Sequence, residues 1–179
     1  MKKSIIKSPA GNSASSDFLP LLGTDYVEFY VGNAKQAAYY YKSAFGFQSL
    51  AYAGPETGIR DRCSYALRQN KLCFVFTTPL RSDNSIADHI FRHGDGVKTL
   101  ALRVDDAVAS WKITTANGAG SYMEPVTLND EYGELVMSGI HTYGDTVHVF
   151  IERKNYQGAF MPGYKKWETA YNPSDTGLQ

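Results

Sequence analysis

The residues best placed to do chemistry in this chain of 179 are its histidines, cysteines and a run of tyrosines. His89 and His93 stand four apart, which on a helix puts both imidazoles on one side, a spacing also found in zinc sites. Gly94-Asp95-Gly96 ends that helix directly after the second histidine, and no glutamate stands beside the first as a general base. The pair therefore reads as a solvated helix end, where imidazole interacts with the C-terminal dipole. His141 precedes Tyr143-Gly144-Asp145, a turn composition, and reads as structural. Cys63 and Cys73 fall on neighbouring strand candidates, 62–69 and 71–77, joined by a tight turn at about Asn70. One-to-one pairing sets Cys63 opposite roughly Thr77 and Cys73 opposite roughly Leu67, so a disulfide between them is disfavoured. Both read as small buried hydrophobes in a reducing compartment. In Tyr39-Tyr40-Tyr41, helical geometry sends one ring into the core and leaves the others for a rim or a partner. No GxSxG, Walker-type or GxGxxG sequence occurs.

Composition narrows the partners. With 18 basic and 18 acidic residues, no field attracts a polyanion, and nucleic acid is excluded as an expected partner. Lys2 and Lys3 are followed by no apolar h-region, and no stretch approaches the roughly 20 apolar residues of a membrane span. A cytoplasmic protein without membrane contact is expected. At 43% hydrophobic and 20% charged residues, the composition is that of an ordinary folded domain.

The elements repeat. Residues 1–17 carry Ser, Ala, Gly, Asn and Lys with little periodicity and read as a flexible arm. A strand at 25–31 leads to Asn33, a helix cap, followed by Ala34, Ala37, Ala38, Tyr41 and Phe45 at helical spacing and by Gly46 as the stop. Strand candidates follow at 48–53, 62–69 and 71–77. A connection with a short helix around 86–92 leads to a strand at 97–104. Asp105-Asp106 then cap a second helix, with Val108, Trp111 and Thr115 on one face and Gly118 as its stop. Strands at 122–127, 134–139 and 147–153 complete the pattern. Asn33 and Asp106 lie 73 positions apart, Gly46 and Gly118 lie 72 apart, and agreement in both order and punctuation points to duplication.

Each half reads as a strand, a helix and three strands, and two such units placed side by side cover each other's open faces. The expected fold class is α+β, two tandem βαβββ modules forming one domain over 18–164, with module one at about 24–78 and module two at about 97–153. This pairing resembles the vicinal oxygen chelate superfamily, whose cupped sheets usually hold a divalent metal through residues on the first and last strands of each module. The resemblance places those positions at Tyr26 and Thr99, at Phe74 or Val75, and at Val149 or Phe150. None is a usual ligand for iron or zinc. His148 stands one residue off this register, which turns a strand side chain to the opposite face. No catalytic, cofactor-binding or metal-binding residue is therefore expected.

Ordered blocks spread over residues 18–164 narrow the resemblance further. Val31-Gly32-Asn33-Ala34-Lys35-Gln36-Ala37-Ala38, Gly46-Phe47, Glu56-Thr57-Gly58, His93-Gly94-Asp95-Gly96-Val97-Lys98 and the closing run from His141 to Tyr164 resemble the N-terminal half of 4-hydroxyphenylpyruvate dioxygenases. That resemblance implies an intact enzyme that converts 4-hydroxyphenylpyruvate and dioxygen to homogentisate and carbon dioxide in tyrosine catabolism. It also implies Fe(II) held by two His and one Glu of a C-terminal catalytic domain that this chain does not include. Residues 165–179 then read as a linker toward that domain, and the chain as a metal-free scaffold, inactive alone, whose docking face and exposed rings promote a homo-oligomer. Two alternatives stay open: a hydroxymandelate synthase-like dioxygenase, and a stand-alone vicinal oxygen chelate protein that binds a small ligand without catalysis.

Overall fold

Three polar side chains start the helices, each by accepting the backbone N–H of its helix's third residue. Asn33 accepts from Gln36 at 3.0 Å and opens α1 (Ala34–Phe45). Asn84 accepts from Ala87 at 2.9 Å and opens α2 (Ser85–His93). Asp106 accepts from Ala109 at 2.8 Å and opens α3 (Ala107–Ala116). Gly46 closes α1 in the left-handed conformation, with φ at 75°. The computed structural model describes residues 17–171 and residue 173, so the expected N-terminal arm, except for Asp17, lies outside the described residues.

Nine strands lie among the described residues: β1 (Gly23–Tyr30), β2 (Gln48–Ala53), β3 (Arg62–Gln69), β4 (Leu72–Pro79), β5 (Gly96–Arg103), β6 (Ser121–Asp130), β7 (Gly133–His141), β8 (Val147–Glu152) and β9 (Lys165–Lys166). They form one curled sheet in the order β6-β7-β8-β5-β1-β4-β3-β2-β9. In each module the first strand runs parallel to the last, as β1 does to β4 and β5 to β8. The modules join where β1 and β5 pair antiparallel, with Glu28 opposite Thr99 and Tyr26 opposite Ala101. Moving 73 positions along the chain takes Tyr26 to Thr99 and Glu28 to Ala101, so exchanging the two modules leaves this register unchanged. The duplication is thus an approximate two-fold axis through the centre of the sheet.

Strand alternation divides the core into two faces. Tyr26, Val75, Ala101, Val147, Val149 and Ile151 gather on the concave side. Phe29, Phe74 and Phe76 pack against α1 on the other, with Ala34, Ala38 and Phe47, while Phe150 and Leu102 pack with Val104 and Ala107 at the start of α3.

Several expectations change in detail. The buried stripe of α3 is Ala107, Ser110 and Thr114, not Val108, Trp111 and Thr115. Small residues let the helix approach the sheet closely, and the two hydroxyls find acceptors within the helix, Ser110 Oγ on Asp106 O at 2.7 Å and Thr114 Oγ1 on Ser110 O at 2.8 Å. On α1, Phe45 stays exposed and Lys42 is buried instead. The β3–β4 turn uses two residues, Asn70 and Lys71, with Asn70 at φ 51°, so Cys63 pairs with Thr78 and Cys73 with Arg68, one position beyond the expected register. Both thiols are free. Finally, the segment expected to be a linker from residue 165 begins as a strand. Lys165 and Lys166 pair with Tyr52 and Ala51 of β2, and Trp167 packs with the α1 cluster, its ring 4.9 Å from Lys42 Nζ. An amphipathic lysine with an aromatic neighbour holds this end of the chain on the sheet.

Candidate functional site

The curl of the sheet leaves a cup of about 340 Å³ on the concave side. Tyr26, Glu28 and Thr99 from β1 and β5 form its floor, Val75 and Val149 flank it, and Phe160 and Tyr164 close one side. At its mouth, Arg62 and Asp61 form an ion pair of 3.0 Å. A wider groove runs between α1 and β1, but its lining includes a single carboxylate, Asp95, whose Oδ1 already accepts from Gly32 N at 2.7 Å. The cup is the better candidate because its polar groups converge.

Glu28 is the centre of that convergence. Its Oε1 accepts from Thr77 Oγ1 at 2.7 Å and its Oε2 from Thr99 Oγ1 at 3.1 Å. Ser64 Oγ lies 2.8 Å from Thr77 Oγ1, and the Tyr164 hydroxyl hydrogen-bonds Ser64 in turn. With the Thr77 proton directed at Glu28, Ser64 donates to Thr77, so two hydroxyls in series point toward one carboxylate and Tyr164 extends the chain beyond Ser64. Glu28 keeps some solvent access through the mouth while protein surrounds its carboxyl group. Burial raises its pKa above the ordinary glutamate value, and the two threonine hydroxyls, with Arg62 and Lys98 further out, offset only part of that rise.

The sign of this shift gives a test. An acid whose folded pKa lies above its unfolded value binds more protons when folded, so stability is lost as pH rises from the unfolded value toward the folded one. Glu28→Gln, which keeps the shape and carries no charge, is expected to gain on the parent protein as pH rises above about 4.5, the ordinary glutamate value. Urea unfolding of both proteins at pH 4.5 and 7.5 checks it. A difference that moves the other way would show that Glu28 is stabilised as a carboxylate.

A divalent metal does not fit the cup. Of the alternatives that the resemblance implies, Val75 and Val149 line the cup, whereas Phe74 and Phe150 face the helices. Tyr26 is buried, its pKa is raised by that burial, and its phenol stays protonated. Thr99 is committed to Glu28. That leaves Glu28 alone inside the cup, with Asp61 at the mouth already paired to Arg62, where a divalent cation needs several converging donors. His148 is turned away, between Val147 and Val149 on β8, with its Nδ1 buried and without a hydrogen bond. His141 meets the Tyr122 ring edge-on at 5.4 Å.

The closing run from His141 to Tyr164 has a physical explanation in its parts. Glu134 N donates to Asn155 O and Gln157 N to Tyr132 O, which straps the run across β7. Gly133 permits this close approach: it has φ at 119°, and a Cβ there would lie 2.1 Å from Asn155 O. Phe160 then packs edge-on to Tyr26 at 5.3 Å and to Tyr164 at 4.9 Å, forming the wall of the cup.

These ordered blocks correspond to known proteins. The chain is 41% identical over 171 residues to the 4-hydroxyphenylpyruvate dioxygenase of Aspergillus fumigatus, covering 88% of this chain and 42% of that protein. It is 46% identical over 144 residues to the enzyme of the same name from Dictyostelium discoideum, covering 79% of this chain and 39% of that one. The chain is a homologue of 4-hydroxyphenylpyruvate dioxygenases. It spans about two-fifths of the length of these relatives. A triple mutant of 4-hydroxymandelate synthase from Streptomyces coelicolor superimposes with a TM-score of 0.75 at 26% identity, over 88% of this chain and 45% of that one. Methylmalonyl-CoA epimerase from Mycobacterium tuberculosis superimposes with a TM-score of 0.58 at 19% identity, over 74% of this chain and 88% of that one, and shares the fold. That fold is the vicinal oxygen chelate fold. No protein-family profile matches the chain.

In this dioxygenase homologue, the block His93-Gly94-Asp95-Gly96 is a junction. His93 Nε2 lies 2.7 Å from Asp145 Oδ2, Gly94 takes φ 72° to end α2, and Asp95 ties β5 to the chain after β1 through Gly32 N. Sequence reasoning missed two features here. Asp145 is 52 residues from His93, beyond any helical spacing. Glu28 was within reach of it, because it lies two positions beyond Tyr26 on one strand and so shares its face. No helix among the described residues is long and apolar enough to cross a membrane.

Proposed function

We propose that this chain is the N-terminal, scaffold half of a 4-hydroxyphenylpyruvate dioxygenase, the enzyme that forms homogentisate and carbon dioxide from 4-hydroxyphenylpyruvate and dioxygen. The observation that carries the reading is 41–46% identity to enzymes of that name over 79–88% of this chain but only 39–42% of theirs. The hydroxymandelate synthase reading has less support, at 26% identity. A cup whose expected ligand positions, Tyr26, Thr99, Val75 and Val149, carry neither carboxylate nor imidazole agrees with a scaffold role, since Fe(II) would be held by the C-terminal catalytic domain, the proposed partner. When bound there, iron supplies the activation of dioxygen. What these residues contribute is a rigid double sheet, anchored at its far edge by β9 and Trp167. The exposed rings of Phe91, Tyr39 and Tyr40 offer contacts for that partner or for a second copy in a homo-oligomer. A reducing, cytoplasmic setting suits two free cysteines, with Cys73 pushed up to about 11 by burial and so unreactive.

The test is an assay of the purified chain with 4-hydroxyphenylpyruvate, dioxygen and Fe(II). No homogentisate is expected from the chain alone, and formation should follow when an iron-bearing catalytic half is supplied on the same polypeptide. Homogentisate from the chain alone would overturn the scaffold reading. Binding of a small ligand in the cup, with no gain on adding the catalytic half, would favour a stand-alone binding protein.

A further inference from the structure

Away from the cup, the end of α2 meets the turn between β7 and β8. His89 and His93 lie one helical turn apart with ring centroids 4.6 Å apart, and Asp145 reaches them from the turn formed by residues 142–146. One ligand atom from each of the three lies within 4.8 Å of the other two. We propose that His89, His93 and Asp145 form a binding site for a divalent transition metal of the Zn(II) and Co(II) class.

The donor set selects the metal. Two imidazoles and one carboxylate suit zinc, cobalt and nickel and are poor hosts for magnesium or calcium, which take oxygen ligands in larger number. Three protein ligands leave a fourth position for water. The ligands come from two different mountings. The histidines are fixed by the helix, with His89 buried and edge-on to Tyr30 at 5.4 Å. Asp145 sits in a tight turn beside Gly144, whose φ is 54°. Metal–ligand bonds of about 2.0–2.2 Å require the three donors to draw together, and the exposed carboxylate is the one with freedom to move.

Two cations, Arg92 and Lys98, stand beside the site, and Asp88 balances one of them from outside it. Arg92 Nη1 now bonds Asp145 Oδ2 at 2.8 Å, competing with a metal for that oxygen, but its Nη2 holds Asp88 at 3.0 Å, so it has a partner to keep. Lys98 donates to the backbone oxygen of Asp145 rather than to its carboxylate. The C-terminal end of α2 adds the negative pole of its dipole. A metal here would tie α2 to the β7–β8 turn, 52 residues further on, and a ligand that binds only the folded state raises its stability. In the sequence the two histidines have the pattern of a solvated helix end, since the third donor, Asp145, stands 52 residues beyond His93.

The experiment uses the full chain without a histidine tag and Zn(II) as the probe. Zinc is expected to raise the unfolding temperature and to move the imidazole NMR signals of His89 and His93 but not those of His141 and His148. Magnesium should do neither. His93→Gln and Asp145→Asn, both at exposed side chains, should each weaken zinc binding by more than the about 10–100-fold typical of losing an outer-shell partner. An unchanged unfolding temperature with zinc, or full retention of the zinc effect in both variants, would overturn the proposal. Equal effects of zinc and magnesium would do the same.

Discussion

Asp25→Ala is expected to destabilise the protein by about 3–5 kcal/mol at pH 7, the usual cost of removing one partner from a buried ion pair. Asp25 sits near the start of β1 with its side chain 1% exposed, and two guanidinium groups converge on it. Arg153 binds both carboxylate oxygens, through Nη2 to Oδ1 at 2.7 Å and Nε to Oδ2 at 2.8 Å, while Arg103 reaches Oδ2 at 2.8 Å. Arg153 is itself largely buried, lies over the Phe160 ring at 5.3 Å and donates to Phe160 O. Removing the carboxylate leaves that charge inside with no counter-ion. Arg103 is far more exposed and can turn to water, so the cost rests mainly on Arg153.

The same cluster fixes an acid limb for unfolding. Burial alone would raise the Asp25 pKa, but its hydrogen bonds and charge interactions with Arg153 and Arg103 outweigh burial and hold it below the ordinary aspartate value of 3.8. The stabilisation is therefore complete above about pH 3.8 and is lost as pH falls through the lower folded value. Urea unfolding of the parent and of Asp25→Asn between pH 2 and 5 should show a steep fall in the parent and a flatter curve in the variant. A loss below about 1 kcal/mol in Asp25→Ala at pH 7 would mean that Arg153 finds another acceptor.

Local signals made most of the fold legible. Asn33, Gly46 and Asp106 carry their structural roles in their own side chains or lack of one, and the 73-residue repeat survives as a two-fold register between β1 and β5. Faces were harder to read. On α3 the apolar residues Val108 and Trp111 suggested the inner side, yet the helix packs through Ala107, Ser110 and Thr114, because closeness to the sheet mattered more than hydrophobicity. The burial of Lys42 depends on Trp167 and Tyr171, more than 120 residues along, and no periodicity records that. For the cup, the residue types of its lining, Tyr26, Thr99, Val75 and Val149, could be read position by position. The relay from Tyr164 through Ser64 and Thr77 to Glu28 could not, since it joins β1, β3, β4 and the closing run by tertiary proximity alone.

Duplication also makes a comparison possible within one chain. Phe76 lies opposite Phe29 between β4 and β1, and Phe150 lies opposite Leu102 between β8 and β5, so the two phenylalanines hold equivalent places in the two modules. Both are 1% exposed. Replacing either by alanine should cost about 3–5 kcal/mol through lost burial and the cavity left behind. Their surroundings differ. Phe76 stacks on Phe29 at 5.2 Å and lies against Tyr41 at 4.8 Å, whereas Phe150 is surrounded by aliphatic side chains, Val104 and Ala107 among them. Each aromatic pair adds about 0.5–1.5 kcal/mol beyond its buried area. Phe76→Ala is therefore expected to fall at the upper end of the range and to exceed Phe150→Ala by about 1 kcal/mol or more. Because β1 and β5 knit both modules into one sheet, each variant should still unfold in a single transition, seen at the same urea concentration by fluorescence and circular dichroism. Equal losses would show that the aromatic cluster collapses into the space. Separate transitions would show that the modules fold independently, and the shared sheet would then be no more than a contact between them.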